Sequence, residues 1–221
     1  MYKDVKYPSR LLENAVEAIG GLPGIGERSA LRLALHLLRQ PAENVHHFTE
    51  AINALRDNVC YCRQCQMISE EPICSICADE RRDHRMICVV ESVNDVMSIE
   101  RTGQYHGVYH VLGGIISPIA GVGPHDLNIS SLKDRVAALC ASGANSGSEA
   151  ATDVAVEVIM ALPGDVEGET TAFYIYRQIR NLGEVKVTTI ARGLGFGDGL
   201  QYADSFTLGR SIAGRLPFSA K

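Results

Sequence analysis

The chain has 221 residues, 46% of them hydrophobic, with near-zero mean hydropathy and a formal net charge of −5, enough apolar content for one or two domains with real cores. No apolar run approaches the roughly 20 residues of a membrane span, and residues 1–6 lack the apolar segment of a secretory signal, so the expectation is a cytoplasmic protein with no membrane partner. The acidic balance excludes a broadly basic nucleic-acid surface; any such contact must be local or topological.

Ser9 is placed to cap a first helix on which Leu12, Ala15, Val16 and Ile19 recur at helical spacing, and Gly20 with Gly21 ends it. Leu22-Pro23-Gly24-Ile25-Gly26 then combines a rigid proline with two glycines able to take positive φ. A second helix over 27–39 carries Ala30, Leu33, Ala34 and Leu37 on one face and Arg28, Arg32, His36 and Arg39 on the other. Together these pieces resemble the helix-hairpin-helix motif of non-sequence-specific DNA binders. Gly24 and Gly26 would let the backbone approach a phosphate, N–H groups at the second helix's start would donate to it, and Arg28 and Arg32 would add charge on the same side. A glycine-rich turn between packed helices with a solvated basic face reads the same way.

Pro41 starts a third helix with Val45, Phe48, Ile52 and Leu55 on one face. The neighbouring His46 and His47 point about 100° apart and are expected to be solvated or in the core, not to share a metal. The chain then reaches two Cys-x-x-Cys pairs, Cys62/Cys65 and Cys74/Cys77. Each pair makes a tight turn with both sulfurs inward, so the four present thiolates to one tetrahedral Zn²⁺. Such a site is closed and should hold structure without doing chemistry. A redox role would need one pair opening a helix in a βαβ unit. Cys60 falls outside the spacing and is a bystander that could compete as a ligand. The remaining cysteines, Cys88 and Cys140, are scattered, which suits a reducing compartment better than a disulfide framework. Arg81, Arg82 and Arg85 follow, as a second phosphate-contacting patch or an ordinary solvated run.

From residue 86 the pattern changes to βα alternation: strands over 86–90, 107–112, 154–161 and 185–191, and helices over 94–100 with Asn94 as cap, over 131–141, and after Asp165 through Thr171, Phe173, Ile175 and Ile179. Residues 141–152, nearly all Ala, Ser, Gly and Asn, read as a mobile surface insertion. The alternation predicts a mostly parallel sheet with helices on both faces. Its ligands belong at the strands' carboxyl ends, where Glu91 and the Asp165/Glu167 pair would meet.

A strand-end glutamate with an acid-rich turn after a later strand resembles the Toprim domain of topoisomerases, primases and small nucleases. In active members such carboxylates hold Mg²⁺ for phosphoryl transfer. Here Pro163 stands where the first aspartate of that motif should be, leaving Glu91, Asp165 and Glu167 as a weak metal or partner site. No tyrosine stands out as a nucleophile.

The order of parts resembles the RecR family of bacterial recombination mediators. The residues that carry the resemblance are Leu22 to Gly26 with Arg28, Ser29 and Ala30, the four cysteines, residues 87–92, 102–104, 117–118 and 121–124, Val166 to Glu169, and 190–193, 202–204 and 208–211 in the tail. It implies four parts: a helix-hairpin-helix DNA-binding region at 1–58, a four-cysteine zinc finger at 59–83, a Toprim domain at 84–183, and a short C-terminal strand and helix segment at 184–221. It further implies a non-enzymatic DNA-repair and recombination factor that forms a homodimer or a ring-shaped homotetramer around DNA. Such a factor acts with RecO and RecF to help load RecA on gapped or single-stranded DNA. By carry-over, Arg28 and Arg32 are the DNA contacts and Cys62, Cys65, Cys74 and Cys77 the zinc ligands. A ring holds DNA with few cations per subunit, which makes the acidic net charge intelligible. The competing class is an Mg²⁺-dependent nuclease or strand-passing enzyme built on the same carboxylates, and a weaker third is a structural zinc protein that never meets DNA.

Overall fold

The computed structural model describes residues 7–144, 155–191, 193–194 and 199–215. The chain divides into two compact units, Met1–Val59 and Cys60–Lys221.

The first unit is helical. Helix α1 (Arg10–Gly20) starts at Ser9, whose hydroxyl accepts from the Leu11 N–H at 3.2 Å, and stops where the Gly21 N–H closes on Glu17 O. Helix α2 (Glu27–Leu38) packs on it through a small core of Val16, Ala30 and Ala34, surrounded by Leu12, Ile19, Ile25 and Leu31. The two alanines bring the backbones close: a Cβ placed on Gly20 would lie 3.6 Å from that of Ala30. Helix α3 (Ala42–Asn58) follows Pro41 as the sequence requires, yet none of its residues is buried. Its apolar stripe forms, with Phe48, Ile52 and Leu55 each more than half exposed.

The second unit begins with a small hairpin, β1 (Cys60–Tyr61) antiparallel to β2 (Ile68–Ser69), and the single turn α4 (Ser75–Ala78). Then come β3 (Asp83–Val90), α5 (Val93–Glu100), β4 (Gly107–Val111), α6 (Ile129–Ala144), β5 (Val156–Ala161), α7 (Val166–Ile179), β6 (Val185–Thr189) and α8 (Ser205–Ala213). The sheet runs β4-β3-β5-β6 with every pair parallel. Alternate residues of β3 serve opposite faces: Ile87 and Val89 join the main core with Leu132, Val136, Ile175 and Ile179 of α6 and α7, while Cys88 and Val90 pack with Val96 of α5. A strand buried on both sides is the reason residues 87–90 read as an unbroken apolar run. Burial pushes the Cys88 thiol up to about 12, which makes it an inert core residue.

Two local expectations are corrected. The cap of α5 is Ser92, not Asn94: the Ser92 N–H and hydroxyl both donate to Asp95 Oδ2, at 2.8 and 2.9 Å. Helix α6 runs to Ala144, so residues 141–144 of the expected insertion are helical; the rest of that insertion lies outside the described residues.

Candidate functional site

The sulfur atoms of Cys62, Cys65, Cys74 and Cys77 all lie within 4.8 Å of one another, and all four residues are buried. Two turns aim them inward. In the first, Gln66 N–H donates to Cys62 O at 2.9 Å and Cys62 N–H to Met67 O at 2.8 Å, which puts Gln66 at φ +63. In the second, Cys74 precedes α4 and its N–H donates to Cys62 Sγ at 3.3 Å. Protons alone suit this cluster poorly. Hydrogen bonding from Cys65, then from Cys77, lowers the Cys74 thiol, while the same contact with Cys74 raises Cys65. A soft divalent cation at the centre would take all four as thiolates, and the donor set fits Zn²⁺. Cys60 stays outside: it is exposed and its thiol donates to Glu71 O at 3.3 Å.

The cluster is fastened to the edge strand of the sheet. Cys65 O accepts from Val111 N–H at 2.8 Å, and Arg135 of α6 donates to both Gln64 O (3.2 Å) and Tyr109 O (2.7 Å). His110 lies fully buried here, its ring 2.8 Å from Asn128 O, and burial holds its pKa down at about 4. Sequence reading missed Arg135, because a contact across 71 residues leaves no periodic trace. It left the arginine run open between two roles, and the structure divides the run. Arg82 makes a forked pair with Glu100 at 2.6 and 2.9 Å and donates to Gly107 O, Arg81 is paired with Asp79 at 2.8 Å, and Arg85 donates to Leu139 O. Arg81 is thus exposed, as in a solvated run, whereas Arg82 and Arg85 are held against the fold.

In the first unit, Gly24 takes φ +78, but Gly26 sits at φ −79 and is the N-cap of α2. Positive φ therefore explains Gly24 only. At both positions an added Cβ would meet nothing within 4 Å, so the hairpin backbone is open to approach. No side chain caps α2, so no N-cap side chain takes up the N–H groups of its first turn. Arg28 and Arg32 are exposed on the adjoining face, and no carboxylate among the described residues pairs with them. A helix N-terminus of this kind, flanked by free guanidiniums, suits a phosphate. His46 and His47 are both exposed on α3.

Glu91 ends β3, half-buried. Burial first, then the charges of Asp95 and Asp165, raise its pKa. Asp165 caps α7 by accepting from Gly168 N–H at 2.7 Å, while Glu167 accepts a 2.6 Å bond from the Ser117 hydroxyl. Glu91, Asp95 and Asp165 thus share one field, and Glu167 is turned to Ser117. Among the described residues only the cysteines bring three or more ligand atoms within sharing distance of an ion. Pro163 acts through its backbone: Gly168 sits against its carbonyl, where no Cβ fits.

Comparison with known proteins covers both units. Residues 12–56 match the family described as RecR, helix-hairpin-helix; 59–79 match the RecR zinc finger domain of four cysteines; 85–191 match Toprim domain; and 193–216 match RecR, C-terminal. The chain is 50% identical over 214 residues to the Recombination protein RecR of Porphyromonas gingivalis, covering 97% of this chain and 96% of that one. It is also 50% identical to that of Flavobacterium johnsoniae (97% of each), and 44% identical to that of Cytophaga hutchinsonii (98% and 99%).

Proposed function

The chain belongs to the RecR family of recombination proteins, and from that premise we propose that it is a non-enzymatic, DNA-binding mediator of recombinational repair in the cytoplasm. The observation that carries the reading is the open hairpin at Gly24 and Gly26, with no side-chain cap on α2 and with Arg28 and Arg32 beside it, paired with no carboxylate among the described residues. Contacts of this type go to phosphate and not to base edges, so binding should be insensitive to sequence. The mediator would work with RecO and RecF to load RecA on gapped or single-stranded DNA, as a homodimer or a ring-shaped homotetramer. Few phosphate contacts per subunit are compatible with a net charge of −5 if the DNA is encircled. In this reading residues 1–58 touch DNA, 59–83 form the finger, 84–183 the Toprim body and 184–221 a C-terminal appendage. Zinc supplies folding free energy and no reaction step.

A gel-shift or anisotropy series over several salt concentrations tests it. Replacing Arg28 and Arg32 by Ala should weaken binding to all sequences alike and make the salt dependence shallower by about two units of slope for each subunit that contacts the DNA. Unchanged affinity and slope would remove the hairpin as the DNA contact. One observation favours a second reading, an Mg²⁺-dependent nuclease: the field of Asp95 and Asp165 at Glu91 is one a cation would relieve. DNA cleavage in Mg²⁺ that vanishes in Glu91→Gln would establish that reading over the mediator.

A further inference from the structure

Helix α7 has a second face that the fold does not use. Thr171, Ile175 and Ile179 are buried in the core, whereas Phe173, Tyr176, Arg177 and Arg180 occupy i, i+3, i+4 and i+7 and are all exposed. Phe173 is 62% exposed and Tyr176 40%. Sequence periodicity groups Phe173 with the core residues; the structure turns it outward. The Arg180 guanidinium lies over the Tyr176 ring, 5.9 Å from its centre, which holds ring and cation together as one platform. No carboxylate among the described residues pairs with Arg177 or Arg180.

Two exposed rings followed along the helix by two cations, paired with no carboxylate among the described residues, complement a polyanion that carries flat apolar groups. The rings are separated by about 4.5 Å along the helix axis, three residues at 1.5 Å each, so neighbouring unpaired bases can each find one. A duplex keeps its bases stacked inside and offers such a face only phosphates, and an acidic peptide would use the cations but leave the rings idle. We propose that the Phe173, Tyr176, Arg177 and Arg180 face of α7 is a second nucleic-acid contact that takes single-stranded DNA, stacking bases on the two rings and pairing phosphates with the two guanidiniums. It rests on the DNA-binding reading above for its class of ligand, but it lies in the other unit and uses none of the same residues. The hairpin would hold DNA of either form, and this face would favour the unpaired strand.

The test uses the full-length, zinc-loaded protein with a labelled thymidine homopolymer and a duplex of equal length. Because all four side chains are exposed, the variants should fold, and circular dichroism confirms it. Phe173→Ala with Tyr176→Ala is expected to weaken single-strand binding about tenfold or more, the loss of at least one stacked base at about 1.4 kcal/mol per tenfold. Duplex binding should stay within about twofold. Arg177→Ala with Arg180→Ala should weaken single-strand binding and reduce its salt slope. The proposal is overturned if both double variants bind the homopolymer like the wild type while Arg28→Ala with Arg32→Ala does not, a result that leaves the hairpin reading intact. It is equally overturned if the face variants lose an acidic protein partner and keep the homopolymer. Failure of the wild type to bind either DNA sinks both readings.

Discussion

Val111 donates its backbone N–H to the carbonyl of Cys65 at 2.8 Å, so the first zinc knuckle is hydrogen-bonded to the outer edge of β4. The other side of β4 is occupied by β3. With Arg135 bonded to Tyr109 O and Gln64 O, two edge groups that would otherwise face solvent as a strand-pairing template are covered. The finger is therefore part of how the Toprim-like sheet ends, and it belongs to the same compact unit.

Arg135→Ala should expose that edge. Losing charged hydrogen bonds to two carbonyls is expected to cost about 1–3 kcal/mol in urea unfolding, and to speed amide exchange at Tyr109 and Val111 selectively. Lysine at the same position would reach one carbonyl but not span both, so Arg135→Lys should recover only part of the loss. Exchange that rises uniformly over the sheet would mean Arg135 is not an edge latch.

Chelation or Cys74→Ser should release the metal and destabilise the finger together with the β4 edge, because structural zinc contributes folding free energy directly. Cys60→Ser should do neither, since the Cys60 thiol is spent on Glu71 O outside the cluster. Zinc content per chain measured after gel filtration separates the two: close to wild type for the Cys60 variant, strongly reduced for Cys74. A drop in the Cys60 variant would make Cys60 a ligand.

The Arg82–Glu100 pair predicts a pH dependence with a definite sign. The forked bond from Arg82, then the Tyr109 hydroxyl at 2.6 Å, hold the Glu100 carboxyl below its ordinary 4.5. The folded state thus prefers the ionised form, and the stabilisation is present above 4.5 and lost as pH falls through the depressed value. Glu100→Gln should cost about 1–2 kcal/mol near neutrality, discounted for partial exposure, with the gap to wild type closing under acid. A gap that persists unchanged in acid would show that packing, not charge, accounts for the cost.

Much of this was legible in the sequence where a local rule and the tertiary structure agree. Ser9 caps α1, Pro41 starts α3, the two Cys-x-x-Cys turns meet, and Asp165 caps α7. Periodicity identifies an apolar face but not what covers it. The stripe of Phe48, Ile52 and Leu55 is present on α3 and exposed in this chain, and Phe173 carries core-like hydrophobicity on an outward face. Charge patterning fails for a different reason: Arg82 and Arg135 look like solvated cations until residues 18 and 71 positions away supply their acceptors. Likewise a carboxylate motif gives proximity in sequence, yet whether Glu167 faces Glu91 or Ser117 depends on a loop 50 residues earlier.

The two hairpin glycines separate structure from contact. Gly24 has φ +78, where an L-residue is strained by about 1–2 kcal/mol, so Gly24→Ala should lower unfolding stability by that amount although there is room for its methyl. Gly26 is at φ −79, a conformation any residue adopts, and a Cβ there also meets nothing within 4 Å. Alanine is a poorer N-cap than glycine, so Gly26→Ala should cost less than about 1 kcal/mol in stability. Its methyl would nonetheless stand where a phosphate must approach the first N–H groups of α2. Binding to duplex and single-stranded DNA should therefore fall well beyond what the small stability change explains, and parallel denaturant titrations and anisotropy curves measure both quantities on one preparation. If Gly26→Ala binds DNA as tightly as wild type, the glycine serves the turn alone and the backbone of this hairpin does not touch phosphate.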